Sequence, residues 1–139
     1  MYVELSDEAR RYMARFDELT GVAPRDCLVE GDRLVFLIPA GEMAAAIGQG
    51  GATVTEAERR LGRSVELVED ADTPEAFVAS ALAPAAVAAV TISEQDDRVA
   101  YVEVVPADRG VAIGADGQNI ETARTLAKRH YDVDDVQLT

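Results

Sequence analysis

The chain has no tryptophan, one cysteine, one histidine and one lysine, and only 5% of its 139 residues are aromatic. Each scarcity excludes something. Cys27 alone forms no intrachain disulfide, and its place in an apolar, strand-like run makes it a small buried thiol. Cys27 and His130 lie far apart with no Ser-His-Asp set or cluster of ligands around them, so neither nucleophilic catalysis nor metal binding can be assembled. No enzyme is expected, and no cofactor or metal. The Gly-Lys-Ser/Thr of a nucleotide-phosphate loop is missing as well. No apolar stretch both reaches membrane length and is free of charge. The alanine-rich run of residues 76–90 is broken by Pro84 and reads as a buried helix followed by a strand. The opening Met1-Tyr2-Val3-Glu4 has neither the basic end nor the apolar centre of a signal peptide. A soluble, cytoplasmic protein with no membrane partner is the expectation.

Charge of one sign dominates what remains: 26 acids face 13 bases, a net charge of −13. That balance argues at first against a polyanionic partner. Its distribution changes the judgement. Residues 41–63 carry three acids and three bases, residues 106–131 carry three acids and four bases, and the rest of the chain is net −14. The bases are almost all arginine, with Lys128 the one lysine, and such acidity is similar to that of proteins from salt-loving organisms. Most carboxylates are therefore read as a solvated acidic coat.

The two neutral segments hold an internal repeat of about 65 residues. Residues 32–54 read DRLVFLIPAGEMAAAIGQGGATV and residues 97–120 read DRVAYVEVVPADRGVAIGADGQNI. One Gly-x-x-Gly is expected roughly once by chance in a chain of this length. Here Ile47-Gly48-Gln49-Gly50-Gly51 and Ile113-Gly114-Ala115-Asp116-Gly117 occur in matching order after Asp-Arg, a β-rich run and Pro-Ala. Context makes the motif specific.

The elements around the loops repeat too. Ser6 is a plausible N-cap ahead of Ala9, Tyr12, Met13, Phe16 and Leu19 at helical spacing, and Gly21 supplies a stop. Residues 27–29 and 34–38 form a hairpin around Glu30-Gly31-Asp32-Arg33. A short helix over residues 42–47, the glycine loop, a helix bearing Val54, Ala57 and Leu61, and a strand over residues 65–68 follow. Residues 69–72 are a polar joint. Thr73-Pro74 then starts a helix. Strands over residues 87–92 and 99–105, a short helix, the second loop, a helix with Ile120, Ala123 and Leu126, and a strand over residues 133–138 repeat the order. Two small α+β units follow, residues 1–70 and 71–139, with no parallel sheet expected. A dinucleotide-binding turn is excluded, since it should follow a strand directly, whereas Pro39 and a helical segment intervene.

A Gly-x-x-Gly loop lets backbone approach a ligand closely, and the helix that starts after it offers free N–H groups and a positive dipole end. Together they clamp a phosphodiester strand. The order α-β-β-α-(GXXG)-α-β resembles the type II KH domain, in which such a loop grips about four nucleotides of a single strand. The chain is identified as a tandem pair of them. On AIGQGGATV, LGRSVELVE and VPADRGVAIGADGQNIETARTLAKRHYDVDDVQL it resembles the short archaeal form of the NusA-type transcription factors. That resemblance implies single-stranded nascent RNA and RNA polymerase as partners, in pausing, termination or antitermination, and a monomer is expected.

Carried over residue by residue, the resemblance implies RNA contacts at Gly48, Gln49, Gly50 and Gly51, and at Gly114, Ala115, Asp116 and Gly117. Gln118 and Asn119 open the following helix, where their amides read bases or cap the helix end. Arg59, Arg60, Arg109, Arg124, Lys128 and Arg129 are candidate phosphate partners. Without tryptophan, and with Tyr2, Tyr12, Phe16, Phe36, Phe77, Tyr101 and Tyr131 mostly on apolar faces, core packing is the better reading of the aromatics than base stacking. One departure from the family pattern matters. The variable loop positions commonly include a basic residue, yet here they are Gln49-Gly50 and Ala115-Asp116, and Asp116 repels phosphate unless a cation or Arg109 masks it. The rival reading is a KH-like pair that docks on polymerase or ribosome through its acidic surfaces.

Overall fold

The computed structural model describes residues 3–139, so Tyr2 lies outside the described residues. Contacts sort the described residues into two units, one built from Glu4–Asp70 and one from Ala71–Thr139 together with Val3.

The first unit begins with helix α1, Asp7–Thr20. Its start is fixed by the Ser6 hydroxyl, which accepts from the Ala9 N–H at 3.0 Å, and its end by Gly21 at φ 77°. Strands β1, Asp26–Glu30, and β2, Arg33–Ile38, pair as an antiparallel hairpin with Leu28 opposite Val35. The short helix α2, Met43–Ile47, leads through the glycine loop to α3, Ala52–Leu61, and then to β3, Ser64–Glu69. Phe16, Leu34, Phe36, Ile38 and Ala57 are fully buried between helices and sheet. The Phe16 and Phe36 rings stack at 4.3 Å, and each buried side chain of this size contributes about 1.5–3 kcal/mol.

The second unit repeats the order with α4, Pro74–Ala81; β4, Val87–Ser93; β5, Val99–Val104; α5, Arg109–Ile113; α6, Gln118–Tyr131; and β6, Asp135–Leu138. The Thr73 hydroxyl caps α4 by accepting from the Ala76 N–H at 3.1 Å. Phe77, Leu82, Val102, Leu126 and Val133 form its buried centre, with Phe77 stacked on Tyr131 at 4.9 Å. Val133 lies in the turn after α6, where its N–H reaches the Ala127 carbonyl at 3.2 Å, so β6 starts two residues later than the apolar run.

Two expectations are corrected. Each sheet contains a parallel pair, β2 with β3 and β5 with β6, because the two-helix connection carries the chain back to run in the same direction. The hairpin alone was visible in the pattern. Tyr101 is not core: it stands on the outward side of β5 and is 39% exposed.

The repeated Asp-Arg pair finds its reason at these parallel edges. Arg33, nearly buried, pairs with Glu30 and with Glu66 of β3, while the Asp32 carbonyl accepts from the Ser64 N–H at 3.1 Å. In the second unit Arg98 donates to the Tyr131 carbonyl at 2.6 Å, and its own carbonyl accepts from the Asp134 N–H at 2.7 Å. Both arginines secure the start of the last strand.

Candidate nucleic-acid interface

The two glycine loops have the same backbone. Gly48 lies at φ 78°, ψ 168° and Gly114 at φ 80°, ψ 171°, a region that is essentially closed to residues with a Cβ. Sterics add to the dihedral argument. A Cβ on Gly48 would stand 2.1 Å from the Thr53 hydroxyl oxygen, and one on Gly114 would stand 2.8 Å from the Asn119 Cβ. The third loop position is left-handed in both units, Gly50 at φ 63° and Asp116 at φ 56°. The fourth is left-handed too, Gly51 at φ 79° and Gly117 at φ 73°. The loop is a single 3-10 turn closed by the Gly51 N–H on the Gly48 carbonyl, and by Gly117 on Gly114, each at 3.1 Å. This explains Asp116. Aspartate tolerates the left-handed region better than most side chains, so an acidic residue fits where the first unit has glycine.

The helices that start at these loops begin differently from the first helix of each unit. α1 and α4 carry side-chain caps and acids in their first turns, whereas α3 and α6, like the short α2 and α5, have no side-chain cap. In this acid-rich chain the first turn of α3 has no acid, and that of α6 has only Glu121. Among the described residues, no backbone bond engages the amides of Gln49 and Gly50 or of Ala115 and Asp116, and all four residues are exposed. Free donors and a positive dipole end thus face solvent at each loop. Beside them Ile47 is 37% exposed, Ile113 39% and Val111 45%, an aliphatic border next to the exposed amides.

The other candidate residues are distributed more widely. Gln118 is exposed at the head of α6. Asn119 points inward: its amide donates to the carbonyls of Val111 at 3.3 Å and Leu82 at 3.4 Å, fixing α6 against α5 rather than facing a ligand. Thr53 holds the matching place in the first unit and was not singled out from sequence. The signal was there, since each stands five positions after the first loop glycine. Arg59 and Arg60 lie in the last turn of α3, eight and nine residues past the last loop glycine and so about 12–13 Å along the helix from it. Arg59 holds Glu56 at 2.7 Å, and that hydrogen bond draws the Glu56 carboxyl below its usual range. Arg124 reaches the Val136 carbonyl and Asp135, both at 3.0 Å, and also pairs with Glu121. Lys128, in the last turn of α6, holds Asp134 at 2.8 Å, which raises the ammonium pKa and lowers that of the carboxyl. Arg129 is half-buried in the same turn. Arg109 donates to the Thr139 carbonyl at 2.8 Å and so does not mask Asp116.

Two units of helix-backed, three-stranded sheet with a Gly-x-x-Gly turn between paired helices define a protein of the KH fold. The family profile described as NusA-like second KH domain matches residues 74–138. The crystal structure of APE1850 superposes with a TM-score of 0.84 at 29% identity, covering 97% of this chain and all of that one. A relative from Halobacterium salinarum named "Probable transcription termination protein NusA" is 60% identical over 139 residues, the full length of both chains. One of the same name from Halococcus morrhuae is 57% identical over 99% of each chain, and one from Methanocaldococcus jannaschii is 29% identical over 98% of this chain and 75% of its own. The chain belongs to the family of NusA-like transcription termination proteins.

Proposed function

We propose that residues 1–70 and 71–139 act as two KH domains that grip single-stranded nascent RNA through their glycine loops and so modulate elongation and termination by RNA polymerase. The observation that carries this reading is the pair of exposed loops with matching dihedral angles, each opening a helix whose N-terminus no side chain caps. Backbone amides supply the anion contacts, so the scarcity of lysine is not a handicap. Ile47, Val111 and Ile113 give bases an aliphatic border where aromatic platforms are few. The protein works as a monomer in the cytoplasm.

The test is binding of short single-stranded RNAs in molar KCl, comparing the native chain with a Gln49→Asp/Gly50→Asp variant. Gly50 and Asp116 share one backbone conformation, so the introduced aspartate has a precedent in the second loop and circular dichroism should not change. The variant should lose most of its RNA affinity. Asp116, exposed and with no ion pair among the described residues, favours a second reading in which the pair docks on polymerase or ribosome with little hold on RNA. Equal affinity of native and variant chains would decide for that alternative.

A further inference from the structure

Arginines in this protein are mostly spent on their own chain. Arg25, Arg33, Arg59, Arg63, Arg98, Arg109 and Arg124 all donate hydrogen bonds to carboxylates or backbone carbonyls. Arg11, Arg15 and Arg60 make no side-chain hydrogen bond among the described residues, and they converge. With Glu8, Tyr12 and Leu61 they line a groove of about 350 Å³ between α1 and the C-terminal end of α3. The ion pairs of two of them are loose, Arg15 with Glu18 at 3.5 Å and Arg60 with Glu56 at 4.0 Å. Exposed pairs of this kind contribute little to stability and exchange readily for another anion. Arg11 has no ion pair among the described residues. Behind the groove, the Arg63 guanidinium sits 5.4 Å over the Tyr12 ring and holds that ring in place.

A groove lined by three arginines and a single carboxylate, Glu8, is out of keeping with a chain of charge −13. Compensation of a helix dipole accounts for arginine in the last turn of α3 but not for Arg11 and Arg15 on α1. Guanidinium forks match phosphate oxygens two at a time, and α3 links this groove directly to the first glycine loop. We propose that the groove takes the phosphate backbone of the RNA segment that extends beyond the nucleotides held by the first loop. It is a second station on one strand, with Arg11, Arg15 and Arg60 as phosphate contacts. The inference rests on the RNA-binding reading of the loops.

The experiment compares RNA of about four nucleotides, the footprint of one loop, with a strand about three times as long. Proteins are the native chain, an Arg11→Gln/Arg15→Gln variant, a single Arg11→Glu variant that breaks no existing pair, and the Gln49→Asp/Gly50→Asp loop variant. The double arginine variant should bind the short RNA as the native chain does and the long one about tenfold more weakly, which is about 1.4 kcal/mol shared between two exposed arginines. Its dependence of log K on log salt should be shallower, by about 0.7 for each phosphate that is no longer neutralised. Arg11→Glu should move the long-RNA affinity in the same direction, which guards against a fold defect in the double variant. Native affinity of both arginine variants for the long strand overturns the proposal. So does a glutamate-rich peptide that binds the groove and that RNA fails to displace, which would make the groove a protein-docking surface. If the loop variant alone behaves as native, the loop reading has failed, and the arginine variants still report on the groove separately.

Discussion

Glycines that share a motif do not share a reason. Gly48 and Gly114 have both a forbidden backbone conformation and no room for a Cβ, while Gly50 has open space and only a left-handed φ. Gly48→Ala should therefore destabilise the protein by about 2–3 kcal/mol or more, and Gly50→Asp by about 1 kcal/mol, a contrast that thermal unfolding in concentrated KCl would read. Comparable losses at the two sites would contradict the loop geometry. Asp116→Gly relieves the strain at the matching position and removes a charge from the clamp. Stability should rise by up to about 1 kcal/mol, and RNA affinity should rise with it if the second loop holds phosphate. At Cys27 the residue scale meets pH. Burial, then the carboxylates of Asp26 and Glu8, push the thiol up to about 12. A thiol harder to ionise folded than unfolded stabilises fully below its ordinary pKa of 9.0, and this contribution is lost as pH climbs towards about 12. Cys27→Ala should flatten the fall in stability over that alkaline range; an identical slope in native and variant would show that the thiol plays no part.

Elements were legible in proportion to how local their causes are. Ser6, Thr73-Pro74 and Gly21 announced helix ends because caps are contacts over three or four residues. Thr73→Ala should cost about 1 kcal/mol in an unfolding titration, since the cap is exposed and its loss leaves one amide to water. No measurable change would mean that Pro74 alone sets the start of α4. The loops were legible through repetition, and the structure adds why the fifth position counts. Parallel pairing was not legible. It joins Leu34 with Val65 and Phe36 with Leu67 across two intervening helices, a register that alternation within either strand does not encode. The intended partners of the basic residues were hidden for the same reason. Arg109 meets Thr139 and Arg124 meets Val136 only once β6 has folded back beside α6. Tyr101 escaped because alternation gives a strand two faces without saying which one helices cover.

At the scale of the whole molecule the governing quantity is charge. With 26 acids against 13 bases, the folded chain gathers like charges that the unfolded chain can spread apart. Most of the arginines that could offset them are already tied to neighbouring groups, so screening must come from solvent ions. The screening length is about 10 Å at 0.1 M salt and about 3 Å at 1 M, which removes most repulsion between surface carboxylates over that interval. The unfolding midpoint followed by circular dichroism should therefore rise steeply between 0.1 M and 1 M KCl. Any further rise above 1 M must have another cause, such as exclusion of salt from the protein surface. An uncharged osmolyte separates the two contributions, because it mimics exclusion and leaves the repulsion intact. A midpoint that is flat below 1 M KCl, or one that sucrose raises equally, would mean that the acidic coat carries little of the stability. Relatives from Halobacterium salinarum and Halococcus morrhuae share this length and 57–60% of these residues. In molar salt the energy of meeting RNA phosphates by counterion release is small, and directed amide hydrogen bonds keep most of their strength. On the proposed RNA-binding reading, the salt that should steady the acidic chain also favours a clamp made of backbone.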